Sequence, residues 1–399
     1  MATARARGDT VTTTHDPGRA EPDRGAERAV ARVDLGAIER NARRLLSELT
    51  GGAELCVAVK ANGYGHGMVA CARAALAGGA SWLAVATADE AISLREAGVA
   101  APILVQGALT RAEARAAVAV DADIVAWCAE FARAVAEHAA ATGARARVHV
   151  KLDTGMGRLG TADPAELRAV CELVARDERL ELVGLMTHFA TADELADDHF
   201  PSQLERFRGF VTETKQAHPE VIAHAANSAA TLRDPAAHFD MVRCGIAVYG
   251  LDPFGEDPAP RRLEPALALE SQLAAVKRFE TGWSAGYGRT WRAERPTWVG
   301  IVPIGYGDGW RRALSNRGEV LVRGRRRRLA GTVSMDNVAV ELGSADGPPD
   351  AEVGDLVTLI GRQGGERILC EEVARVLDTI NYEVTCGLLP RVPRRYAGP

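Results

Sequence analysis

Leu55-Cys56-Val57-Ala58-Val59-Lys60-Ala61-Asn62-Gly63-Tyr64-Gly65-His66-Gly67 reads as one strand, one turn and the approach to one helix. Five apolar residues in a row suit a strand buried on both faces, as in a parallel sheet. The glycines punctuate a turn, and Met68 to Ala77 is long enough to cross back over such a sheet. The unit recurs along the chain. With Leu55 to Lys60 as the first, eight strand-like runs follow one another, continuing with Trp82 to Ala86, Pro102 to Gln106, Asp123 to Trp127, Arg147 to Leu152, Leu182 to Thr187, Val221 to His224 and Met241 to Tyr249. Helical segments such as Glu90 to Ala97, Arg111 to Val118 and Pro164 to Ala175 lie between them. This alternation predicts an α/β fold, a closed (β/α)8 TIM-like barrel spanning residues 29–252. In such barrels the chemistry sits where strands end. Those ends carry Lys60, Tyr64, Arg158, His188, Asn227, Ser228, Arg243 and Gly245, a polar set that packing alone does not require.

The flanks read differently. Residues 1–28 are rich in Arg, Thr, Asp, Gly and Pro and poor in large apolar side chains, so a disordered tail is expected. A Pro-rich linker over 253–265 leads to 266–399, where closely spaced runs (Val320 to Val322, Leu329 to Val333, Asn337 to Glu341) leave no room for crossover helices. A second, mostly β domain is expected there. The run Arg323-Gly324-Arg325-Arg326-Arg327-Arg328 reads as a solvated hairpin tip with Gly at the turn.

With 399 residues, 47% hydrophobic and 25% charged, the chain can bury two cores, and a formal net charge of −5 gives no overall attraction to nucleic acid or an acidic membrane. A small-molecule partner is favoured. The seven cysteines are scattered without a C-x-x-C pair, and no H-x-H or H-E-x-x-H spacing occurs, so neither a disulfide framework nor a metal site is expected. No apolar run suits a membrane helix or a signal core, and a cytoplasmic location is the expectation.

Lys60 is one of only four lysines among 48 basic residues, so arginine serves here wherever a plain surface charge is enough. At the end of an apolar strand an ammonium is desolvated, which lowers its pKa and leaves a nucleophilic amine. Such an amine condenses with carbonyls, which is how pyridoxal phosphate is anchored.

The stretch Ala58 to Gly67 resembles the cofactor-attachment segment of the alanine racemases. The similarity continues in order through Lys151 to Arg158, Thr187-His188-Phe189-Ala190, Asn227-Ser228, Val242 to Ile246, Gly286-Tyr287-Gly288, Gly305 to Gly309, Ser334-Met335-Asp336 and Asn381-Tyr382-Glu383. The resemblance implies pyridoxal 5'-phosphate as cofactor and interconversion of L- and D-alanine, supplying D-alanine for peptidoglycan. It implies that Lys60 bonds the cofactor, that Tyr64, Ser228, Tyr382 and the amides of Gly245 and Ile246 hold its phosphate with Asn227 nearby, and that Arg243 faces its ring nitrogen. A guanidinium donates without giving up its proton, which makes the ring a weaker electron sink.

Racemisation needs proton transfer on both faces of the substrate. By resemblance Lys60 serves the D face and Tyr287 the L face. A phenol is a weak base at neutral pH, so a hydrogen-bonded chain through His188 to Arg243 would help it ionise. Arg158 resembles a residue contacting the cofactor's phenolic oxygen and the substrate carboxylate, Met335 and Asp336 resemble second-domain residues that reach the substrate carboxylate and the channel mouth, and Tyr306 resembles an entrance residue. Lys151 aligns with a lysine that can be carbamylated, which would give Arg158 an anionic neighbour. Ser334 stands where relatives often carry Cys. The resemblance further implies a homodimer in which Tyr287 reaches the partner's barrel. A racemase of broader specificity, a pyridoxal-phosphate-dependent decarboxylase, a non-enzymatic pyridoxal-phosphate carrier and a metal-dependent hydrolase are the alternatives. The first keeps every motif and the others lose at least one.

Overall fold

The structure, a computed structural model, describes residues 27–143 and 145–398. The disordered reading of residues 1–26 lies outside these. Glu27 and Arg28, placed in the same tail, are held instead: Arg28 pairs with Asp308 and Glu27 with Arg395.

Strand β1 is Ala29–Asp34. The barrel follows as β2 (Glu54–Ala58), β3 (Trp82–Val85), β4 (Ile103–Val105), β5 (Asp123–Ala126), β6 (Ala146–Lys151), β7 (Leu180–Met186), β8 (Ile222–His224) and β9 (Met241–Cys244), closed in that order by parallel pairing of β9 with β2. β3, β4, β5 and β9 are buried along their whole length, as the uninterrupted apolar runs require. The crossover helices bury one stripe each. Ala132, Val135, Ala136 and Ala139 of the helix Ala129–Thr142 follow the helical period. Thr87 with Glu90 and Thr110 with Glu113 form reciprocal capping boxes that fix where two of these helices begin.

Five readings shift. β1 lies within the segment expected for the barrel, yet it pairs antiparallel with Leu267–Gln272 and parallel with Arg394–Ala397 in the second domain's seven-stranded sheet. The apolar run of residues 29–33 satisfies a sheet and does not say which one. The expected strand Met241 to Tyr249 stops at Cys244, because Gly245 turns the backbone and Ile246–Tyr249 form a 3-10 turn. The expected strand Leu55 to Lys60 ends at Ala58 and Lys60 opens a turn. In the arginine run only Arg323 and Gly324 form the hairpin tip, both at positive φ. Arg325–Arg328 is the returning edge strand, paired with Glu319–Val322, and Leu329 to Val333 contributes only a single bridge at Leu329. Acidic neighbours, among them Glu319, Asp350, Glu366 and Glu372, make a strand of four arginines tenable, and a charged edge resists pairing with other chains.

Among the described residues no helix is long and apolar enough to cross a membrane.

Candidate active site at the barrel mouth

The turn after β2 decides where Lys60 points. Ala61, Asn62, Gly63 and Tyr64 all adopt left-handed backbone angles, φ 52° to 63°, which is costly at the three non-glycine positions. Side chains hold it in place. The Ala61 amide donates to Glu90 Oε1 at 2.7 Å, and the Met68 amide donates to Asn62 Oδ1 at 3.0 Å. Glu90 Oε2 also accepts from the Ala86 amide at 2.8 Å, tying the turn to the next strand end. The sequence reading passed over Glu90 as a site residue, although the spacing Thr87-x-x-Glu90 was visible as a helix cap.

Lys60 lines a cavity of about 300 Å³ with Tyr64, His188, Arg243 and Tyr382. Asn227, Ser228, Gly245 and Ile246 complete that wall. Gln106 and Cys386 line it too and were not foreseen. Gln106 stands at a strand end, where a polar residue is a usable signal, whereas Cys386 offers none. Burial lowers the pKa of Lys60, and the charges of Arg158 and Arg243 add to the effect while Glu90 opposes it. A larger share of this amine is thereby unprotonated at neutral pH than of a surface lysine, and so available as a nucleophile or proton acceptor.

Arg243 is buried and fixed from several sides. Its Nη1 donates to His224 Nδ1 at 2.9 Å, and its Nη2 reaches the Thr187 carbonyl at 2.9 Å, the Ala225 carbonyl at 3.1 Å and His188 Nδ1 at 3.1 Å. Burial lowers its pKa to about 10, partly offset by Cys56 and Cys244, so it remains a cation at neutral pH. Burial, then repulsion from Arg243, Arg158 and the two lysines, holds the pKa of His188 well below its ordinary value. Arginine has no acceptor. His188 Nδ1 therefore accepts, and the ring proton resides on Nε2.

One wall is shaped for an anion. Gly245 N donates to Ser228 Oγ at 3.0 Å and Ala247 N to the same oxygen at 3.3 Å, while Ile246, first in its 3-10 turn, has no acceptor within that turn. A Cβ on Gly245 would stand 2.3 Å from Tyr64 Oη. Tyr64 is packed on Tyr249, ring centroids 5.1 Å apart, and faces Tyr382. Asn227 has a structural duty as well, since its Oδ1 caps the helix Ser228–Arg233 by accepting from Ala230 N at 2.9 Å.

These features fit a phosphorylated pyridine aldehyde. The Lys60 amine meets the aldehyde's requirement, and the hydroxyls of Tyr64, Ser228 and Tyr382 with the Ile246 amide suit the phosphate, which the Gly245 amide could join by leaving Ser228 Oγ. Arg243 Nε, buried with no hydrogen-bond partner among the described residues, is a donor left over for a ring nitrogen.

Other expected residues lie outside this cavity's lining. Lys151 is buried, and burial together with Arg158 and Arg243 lowers its pKa to about 8. Arg158 is exposed in the loop after β6. Tyr287, Met335 and Tyr306 are 71%, 52% and 38% exposed on the second domain, and Asp336 is exposed beside them. One segment gathers them: Thr332 Oγ1 donates to the Tyr287 carbonyl at 2.8 Å, Tyr306 N to the Ser334 carbonyl at 3.0 Å and Gly307 N to the Met335 carbonyl at 2.9 Å.

The chain matches two family models, the alanine racemase N-terminal domain over residues 33–253 and the alanine racemase C-terminal domain over residues 266–396. It is 44% identical to the alanine racemase of Symbiobacterium thermophilum, over 92% of this chain and 97% of that protein. It is 43% identical to alanine racemase 1 of Bacillus subtilis, over 92% of each. Among solved structures, the alanine racemase of Streptomyces lavendulae superposes with a TM-score of 0.88 at 39% identity, covering 93% of this chain and 97% of that one. The Streptomyces coelicolor A3(2) enzyme gives 0.88 at 38%, covering 94% and 99%.

Proposed function

The chain belongs to the alanine racemase family, and from that premise we propose a residue-by-residue account of how it works. It is a pyridoxal-phosphate-dependent amino-acid racemase that interconverts L- and D-alanine. The observation that carries the account is the meeting, in one cavity, of a desolvated Lys60, an anion wall at Gly245 and an unpartnered Arg243 Nε.

Lys60 would bond the cofactor, Tyr64, Ser228, Tyr382 and the amides of Gly245 and Ile246 would hold its phosphate beside Asn227, and Arg243 would donate to its ring. When bound, pyridoxal phosphate supplies the electron sink that acidifies the substrate's α-hydrogen. Lys60 Nζ takes or returns that proton on one face and Tyr287 Oη on the other. His188, carrying its ring proton on Nε2, donates to the phenol oxygen and steadies its anion. Arg158 and Met335 bind the substrate carboxylate, and Asp336 and Tyr306 frame the channel. Lys151 takes up carbon dioxide as a carbamate, for which a pKa of about 8 leaves enough neutral amine. The carbamate then orients Arg158.

We place Tyr287, Tyr306, Met335 and Asp336 in the neighbouring subunit's site. Exposed tyrosines and a methionine grouped on one face are what a protein interface covers. A two-fold homodimer makes the exchange reciprocal. A cytoplasmic location and D-alanine supply for peptidoglycan are proposed on family membership alone. No nucleic-acid partner is proposed, because the arginine hairpin is already paired with acids.

Mixing inactive Lys60→Ala and Tyr287→Ala proteins and allowing subunit exchange tests the shared site. Mixed dimers carry one site with both lesions and one with none, so equal random exchange restores roughly a quarter of full activity. No recovery after demonstrated exchange would place both residues in one chain's site.

A further inference from the structure

The interior of a TIM-like barrel is ordinarily filled by layers of apolar side chains. Here a line of polar groups runs through it. Asp123 at the start of β5, His149 in β6 and His224 at the end of β8 are buried, and each touches the next. Asp123 Oδ2 lies 2.9 Å from His149 Nε2, His149 Nδ1 lies 2.8 Å from His224 Nε2, and His224 Nδ1 lies 2.9 Å from Arg243 Nη1. Because β5 begins at the floor of the barrel and Arg243 stands at its mouth, the line spans the core.

Its direction is forced. Arginine only donates, so His224 Nδ1 must accept, and its single proton sits on Nε2. That proton points at His149 Nδ1, which must then accept in turn, leaving the His149 proton on Nε2 and aimed at Asp123. Burial, with the charge of Arg243, holds His224 neutral. Burial alone would raise the pKa of Asp123, but the hydrogen bonds from His149 and Arg147 and the charge of Arg147 lower it, so Asp123 is the anion at the far end. Arg147 Nε donates to its other oxygen at 3.0 Å, satisfying both carboxylate atoms.

The neighbours are cut to fit. A Cβ on Gly184 would stand 2.0 Å from His149 Nδ1, so glycine at this point of β7 makes the room for the ring. The edge of His149 meets Trp82 with ring centroids 5.8 Å apart. A buried polar line costs stability unless every member is bonded, and here each ring nitrogen is.

We infer that Asp123, His149 and His224 are positioning residues, a one-way line of hydrogen bonds that holds Arg243, and through it His188, in fixed orientation toward the barrel mouth. The inference rests on the reading of Arg243 as a cofactor contact, but its first test does not.

Long-range 1H–15N correlation of 15N-histidine-labelled full-length protein, without and with cofactor, reads ring tautomers directly. Variants His149→Gln, His188→Gln and His224→Phe assign the signals. All three rings are expected neutral with the proton on Nε2. A proton on Nδ1 of His149 or His224, or a doubly protonated ring, overturns the line even if His224→Phe fails to fold. In the folded, cofactor-loaded His224→Phe protein, loss of a charge-assisted bond to Arg243 should lower kcat about ten-fold with KM for alanine little changed, and should shift the visible band of the bound cofactor. Asp123→Asn should do the same to a smaller extent. Wild-type kcat and an unmoved band in both variants would reduce the line to core packing. Correct tautomers in a protein whose Lys60 takes up no cofactor would sink the site assignment and spare the line.

Discussion

The barrel mouth and the second domain's exposed face, both given roles in the proposed chemistry, stand in opposite conditions. At the mouth, Lys60, Arg243 and Gly245 are buried or half-buried and held by short contacts within the chain, so that half is organised before any partner arrives. On the other face, Tyr287 projects into solvent from a 3-10 turn held through its backbone carbonyl. A side chain that does acid-base work needs a fixed position and a dry surrounding. Only the first region has both in a single chain, and that difference is the ground for proposing that the second acts by docking.

The largest effect separates the two regions outright. Tyr287→Phe should leave cofactor binding nearly intact while lowering racemase kcat by about 10²- to 10⁴-fold, the usual range for a positioned acid or base. Lys60→Ala should lose covalent cofactor as well as activity, read as disappearance of the borohydride-stable pyridoxyl adduct. If Tyr287→Phe racemised alanine at wild-type rates in both directions, the exposed face would be a wall of the site and no more.

A smaller effect probes the mouth alone. Ala at 245 would press its methyl 2.3 Å from Tyr64 Oη, and Tyr64 cannot simply swing aside because it stacks on the buried Tyr249. Overpacking of this kind typically costs about 1–3 kcal/mol. Cofactor affinity of Gly245→Ala, measured by equilibrium dialysis, should fall about ten-fold with the oligomeric state unchanged. Unaltered affinity would show that the Gly245 wall does not face the phosphate.

The sequence made the barrel legible because eight buried parallel strands leave eight apolar runs, and the strand ends named most of the cavity wall. What it hid has physical reasons. β1 is apolar enough for either sheet, and only long-range pairing with Leu267–Gln272 decides. The arginine run reads as a loop until acids from Glu319, Asp350 and Glu372 gather around it. His149 and Asp123 lie inside strand runs, where a lone polar residue looks like an interruption, and their partners stand 75 and 26 positions away from His149 along the chain. Tyr287 was singled out by resemblance only, since nothing in its local pattern points to proton transfer or to a second subunit.

The smallest effect concerns how the second domain holds its own loops. Asp308 is buried beneath the Tyr306 turn and accepts from Gly305 N at 2.9 Å, from Arg391 Nε at 2.7 Å and from both terminal nitrogens of Arg28. Arg391 also bonds the Met335 carbonyl at 3.2 Å and Asp336, so one guanidinium ties both loops of the exposed face to one carboxylate. Burial would raise the pKa of Asp308, but the bonds from Arg28, Arg391 and Gly305 more than compensate, and its folded-state value lies below the ordinary one. A carboxylate with a depressed folded pKa contributes stability that is fully present above its unfolded pKa of about 3.9 and is lost as pH falls through the lower folded value. Asp308→Asn should therefore lower unfolding free energy at pH 7 by about 1–2 kcal/mol, a figure reduced because both arginines are partly exposed. The gap between variant and wild type should narrow below about pH 4, where the unfolded wild-type chain takes up a proton at this carboxylate while the folded one still resists it. Denaturant melts of both proteins at pH 7 and at pH 3 would measure this. A gap as wide at pH 3 as at pH 7 would mean that Asp308 works by shape and that charge does not organise the exposed face.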